Sequence, residues 1–192
     1  MKKFKLKTHY KKILADTISP VSVYLKIRDQ FPNSILLESS DYHGNDNSFS
    51  YICCNPIASI KVDPNLVTKT YPDHTVESKF IESDKVSLEI DAFTKQFETQ
   101  KNKEFKFINN GMFGFTAYDA VKYFEDITIS KKEDSIEIPD MYYVVYQNII
   151  AINHFKNEAY IFAHCYESES NIEAIDHLIK MQSFSSYDFK SK

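Results

Sequence analysis

Apolar and polar positions alternate at the start of the chain, where Phe4 and Leu6 stand between lysines. That two-residue period predicts a half-exposed edge strand. Thr17-Ile18-Ser19-Pro20 then reads as a helix start. Ser19 can accept from the free amides of the first turn, and Pro20 fits the first helical position, where its missing N–H costs little. Val21, Tyr24, Leu25 and Arg28 recur at helical spacing, and Phe31-Pro32-Asn33 ends the element. A short apolar run over 34–39 predicts a buried strand, 41–48 a polar loop around Gly44, and 49–54 a second strand stopped by Asn55-Pro56.

Three short segments follow, near 57–62, 66–71 and 76–81, punctuated by Asp63-Pro64-Asn65 and Pro72-Asp73-His74. Such spacing predicts an antiparallel meander. Val86, Ile90, Phe93 and Phe97 repeat as one helical face, so a helix is expected over 85–98, followed by an exposed polar linker over 99–106. Asn109-Asn110-Gly111 is a turn leading into a strand over 112–117, then a short helix over 118–124 and a charge-rich loop over 125–137. The clearest hairpin joins two aromatic and β-branched runs, 141–152 and 158–164, through 153–157; a helix over 171–181 comes last. The sum is an α+β fold, mostly antiparallel sheet and sandwich-like, with a few flanking helices, in a single domain over 1–192.

Composition narrows the function classes. At 192 residues the chain is long enough for one substantial core without a disulfide or metal staple. A net charge of −4 argues against a nucleic-acid partner, which would need a clustered basic face. Only three glycines are present, at spacings that fit neither a Walker loop nor a dinucleotide loop. No apolar run approaches the roughly 20 residues needed to cross a bilayer, and the lysine-rich start lacks the apolar stretch of a signal peptide. A cytoplasmic protein with no membrane partner is expected. Cys53, Cys54 and Cys165 make a poor disulfide framework and read as small buried hydrophobes.

The six histidines are scattered, and neighbouring His164 and Cys165 in a strand must point to opposite faces, so they cannot form a nucleophile–base pair. Two constellations rise above this background. Leu37, Glu38 and Ser39 end one predicted strand, and Phe49, Ser50 and Tyr51 begin the next. Two such strand ends side by side offer a carboxylate for an ammonium, hydroxyls for a carboxylate and an apolar slot for a ring, the chemistry of a zwitterionic aromatic amino acid. The plain alternative is an ordinary strand end whose polar residues cap the ladder. The second constellation runs from Gly111 to Glu125. Two of the chain's three glycines, Gly111 and Gly114, lie three apart there, which points to tight backbone packing or positive φ, and Asp119 would sit near a helix start.

These segments, with Asp16 to Val21, Asn55-Pro56 and Ile138-Pro139-Asp140-Met141-Tyr142, occur in an order that resembles the N-terminal region of anthranilate synthase component I, a chorismate-utilising enzyme family. The resemblance spans nearly the whole chain. It implies a complete protein that converts chorismate to anthranilate and pyruvate with Mg²⁺, using ammonia that a separate glutamine amidotransferase subunit, component II, takes from glutamine. It also implies a C-terminal chorismate-binding catalytic domain absent from this chain, so no residue here is assigned a catalytic role and no metal is expected on this portion. What it does place here is feedback inhibition by L-tryptophan, at Leu37, Glu38 and Ser39 with Phe49, Ser50 and Tyr51. Relatives often carry a basic residue just before the second of these strands, where this chain has Ser48. Aminodeoxychorismate synthase shares the fold and is the alternative family; a free-standing amino-acid-binding module is the alternative class.

Overall fold

The computed structural model describes residues 2–38, 48–64, 66–100, 104–127, 129 and 138–181. In chain order the elements are β1 (Phe4–Leu14), α1 (Pro20–Gln30), β2 (Ile35–Glu38), β3 (Phe49–Asp63), β4 (Leu66–Thr70), β5 (Val76–Phe80), α2 (Val86–Thr94), β6 (Phe97–Thr99), β7 (Met112–Thr116), β8 (Met141–Asn153), β9 (Glu158–Cys165) and α3 (Ile172–Lys180). Short 3-10 turns at Ser83–Lys85 and Tyr118–Tyr123 complete the set. The strands pair mostly antiparallel, with β1 and β6 parallel, so the fold is α+β with antiparallel sheet dominating.

The described residues of Met1–Leu6, Pro56–Gln100 and Gly111–Tyr146 form one compact unit, and those of Lys7–Asn55, Lys101–Asn110 and Gln147–Lys192 a second. In the first unit, the later part of β3 pairs with β4 and β4 with β5, the meander expected from the turn residues. β7 lies antiparallel on β8, and the opening residues of β1 pair in parallel with β6. Four aromatic rings anchor this unit: Phe4 stacks on Tyr71 and Phe97 at 5.4 and 5.7 Å, and Phe93 closes on Tyr71 and Phe97 at 5.7 and 5.0 Å.

The second unit is built on β8–β9–β1 and the β2–β3 pair. Alternate residues of these strands, among them Ile52, Cys54, Ile150, Ile161, Ala163 and Cys165, form one apolar core with Val23 and Ile27 of α1 and Ile175 and Ile179 of α3. Helix α1 begins as expected: the Ser19 Oγ accepts from the Ser22 amide at 3.2 Å, with Pro20 in the first turn.

Three expectations change. Asn55-Pro56 does not stop a strand: Asn55 adopts φ 60°, a conformation asparagine tolerates, and β3 continues for 15 residues. The helix expected to reach residue 98 ends at Thr94, because Phe97 turns into β6 and pairs with Phe4. The opening of β1 therefore has a strand partner that a lone edge strand would lack. Asp119 lies in the first turn of its 3-10 helix, which has no side-chain cap.

Candidate functional site

Strands β2 and β3 pair antiparallel with Leu37 opposite Tyr51 and Glu38 opposite Ser50. The two expected strand ends are thus direct neighbours. Because successive side chains on a strand alternate between faces, the six sequence-derived candidates divide. Glu38 and Ser50 share the face that carries Leu36 and Ile52 towards the helix-covered core, whereas Leu37, Phe49 and Tyr51 share the opposite face. Ser39 lies outside the described residues. Glu38 is exposed; Ser50 is 1% exposed, and its hydroxyl shares a 2.8 Å hydrogen bond with Nε2 of His154. The His154 amide in turn donates to the Ser48 carbonyl at 3.0 Å. Ser50 therefore fastens the start of β3 to the β8–β9 turn, and it is His154, at a position that reads as an ordinary turn residue, that holds it.

On the opposite face lies a layer of rings. Phe49 stacks on Phe107 at 4.7 Å and lies 6.0 Å from Tyr51. Phe107 contacts Tyr160 at 5.1 Å and Phe105 at 5.4 Å, and Phe105 meets Tyr10 edge-on at 4.9 Å. Phe162 continues the layer to His164, whose Nε2–H donates to the Asn109 carbonyl at 2.8 Å while Nδ1 takes up Thr8 Oγ1 at 3.0 Å. Burial holds His164 below its usual pKa, so the neutral imidazole is the stable form. The segment expected to be an exposed linker therefore supplies one ring of this layer, Phe105, and Phe107 just past it supplies another. The signal was present in the sequence, as Phe105-Lys106-Phe107, two aromatics two residues apart within a polar stretch.

A cavity of ≈ 340 Å³ opens in this layer. Phe49, Phe105, Phe107 and Tyr160 give it aromatic walls, and Glu104, Lys106, Lys156 and Asn153 give it charge of both signs and an amide. Glu104 is steadied by Tyr10, whose hydroxyl donates to it at 3.1 Å, and the Tyr160 hydroxyl is occupied by Glu158 at 3.0 Å. The volume lies in the range of small-molecule sites, and the lining suits a ligand with a flat ring and a charged head.

Other chemistry is quiet. All three cysteines are buried free thiols, closed off from substrate, and burial pushes Cys54 up to about 12. Among the described residues, no three His, Cys, Asp or Glu side chains converge on a cation site. No helix of the described residues is long and apolar enough to cross a membrane.

The chain is 31% identical over 153 residues to anthranilate synthase component 1 of Lactococcus lactis subsp. lactis (strain IL1403), covering 79% of this chain and 31% of that protein. It is 27% identical over 154 residues to aminodeoxychorismate synthase component 1 of Bacillus subtilis (strain 168), covering 80% of this chain and 31% of the relative. A crystal structure of anthranilate synthase component I from Streptococcus pneumoniae TIGR4 aligns with a TM-score of 0.47 at 24% identity, over 88% of this chain and 35% of that one. The chain thus spans about a third of the length of the curated relatives it matches. The model of the family described as "chorismate binding enzyme" matches residues 33–190, and this chain belongs to that family.

Proposed function

We propose that this chain is the N-terminal regulatory portion of an anthranilate synthase component I. In this reading the complete protein converts chorismate and ammonia to anthranilate and pyruvate, component II supplies the ammonia from glutamine, and Mg²⁺ and the bond-breaking residues belong to polypeptide beyond these 192 residues. The portion described here senses L-tryptophan. The observation that carries the regulatory reading is the aromatic-walled cavity of ≈ 340 Å³ adjoining Phe49, with charge of both signs around it.

The indole ring packs against Phe49 and the rings beside it. Glu104, which lines the cavity, takes the ammonium, and Lys106 or Lys156 takes the carboxylate, whereas Glu38 lies on the other face of the β2–β3 pair. Leu37 and Tyr51 shape the apolar side, while buried Ser50 keeps the strand end in place through His154. Tryptophan inhibits by favouring an arrangement of the complete protein that does not turn over; a coupling of about 1–3 kcal/mol suffices for strong inhibition.

The test is a product assay on the complete protein, with chorismate and ammonia, in the presence and absence of tryptophan. Anthranilate as the product, suppressed by tryptophan, is the expected result. Insensitivity to tryptophan would overturn the regulatory reading. Aminodeoxychorismate as the product would favour the second reading, which the Bacillus subtilis relative supports.

A further inference from the structure

We infer that strand β5 is a docking surface for a second copy of this chain, forming a two-fold antiparallel strand pair across Val76–Phe80. Among the described residues β5 pairs with β4 alone and ends the strand order, and all five of its residues are exposed. Phe80 is 81% exposed and Val76 63%, an unusual load of apolar surface for an edge strand.

The backbone is oriented for pairing. The Thr75 carbonyl accepts from the Tyr71 amide at 3.0 Å, so Thr75 faces β4. By the alternation of an antiparallel ladder, Val76, Ser78 and Phe80 point their amide and carbonyl groups away from β4. A second strand meeting that edge about a two-fold axis at Ser78 would be offered about six main-chain hydrogen bonds.

The side chains of Val-Glu-Ser-Lys-Phe are self-complementary in that register. Ser78 faces its own copy, Val76 faces Phe80 of the partner subunit, and Glu77 faces the partner's Lys79. Each half of the strand thus presents the other half's complement, apolar against apolar on one face and opposite charges on the other. Cross-strand pairs of both kinds stabilise a sheet, and like charges directly opposite destabilise it. Within the protomer Glu77 accepts from the Tyr71 hydroxyl at 2.9 Å, and Lys79 reaches Glu89 at 3.0 Å. These contacts hold both side chains on the face where the partner's charges arrive.

The experiment is sedimentation velocity on the 192-residue chain from micromolar to near-millimolar concentration, with Glu77→Lys and Lys79→Glu variants, each alone and mixed. The wild type is expected to shift from monomer towards dimer as concentration rises. Each single variant places like charges opposite each other and is expected to stay monomeric over that range. An equimolar mixture pairs lysines with glutamates again and is expected to recover the dimer. Circular dichroism of each variant checks that it folds. A wild type that remains monomeric throughout, variants that dimerise like the wild type, or folded variants whose mixture does not recover the dimer would each overturn the proposal.

Discussion

Gly114 shows what a single position demands. A Cβ built on it would stand 1.9 Å from the Tyr142 carbonyl oxygen, because β7 and β8 approach closely where Gly114 pairs with Tyr143. Gly114→Ala is therefore expected to destabilise the fold by about 2 kcal/mol or more, read as a lower urea midpoint, since the obstacle is backbone and cannot swing aside. Gly111 is different: it has φ 132° and open space around the missing Cβ, so it is retained for its backbone conformation. Both needs were legible in a chain so poor in glycine. His164 carries a second expectation. Its neutral ring is fixed between Thr8 and Asn109, and burial depresses its pKa below the ordinary 6.5. Its contribution to stability is complete above pH 6.5 and declines as acidification proceeds below that value, because the unfolded chain takes up the proton first. His164→Gln should flatten the dependence of the urea midpoint on pH between 6.5 and 5; a slope equal to the wild type's would contradict the assignment.

At the level of elements, local signals were sufficient where the stabilising contact is itself local. The β8–β9 hairpin, the start of α1 and the β3–β4–β5 meander all depend on neighbours close in sequence. Helix α1 gives a direct check: Ser19→Ala removes the acceptor for the Ser22 amide and should cost about 1 kcal/mol in denaturant unfolding. Where long-range pairing decides, the local pattern misleads. Phe97 continues a helical face in the sequence yet sits in β6, because pairing with Phe4, 93 positions away, outweighs one more helical turn. The same applies to 104–107, whose rings find partners on β3 and β9 that no local window contains. The strand ends at Glu38 and Ser50 were legible as neighbours. Their division between two faces follows from pairing register, which a list of residue types does not carry.

For the whole molecule, the proposed division puts recognition in this portion and bond-breaking chemistry in the rest of the protein. Family membership over residues 33–190 places the chain among chorismate binding enzymes, and the proposed recognition rests on the cavity beside Phe49. The most direct test is the tryptophan inhibition curve of the complete enzyme carrying Glu104→Ala, with the Lys106→Ala/Lys156→Ala double variant beside it. The account predicts that half-inhibition moves to at least about tenfold higher tryptophan, about 1.4 kcal/mol of lost binding, with uninhibited turnover unchanged. Curves that superimpose on the wild type's for both variants would contradict it.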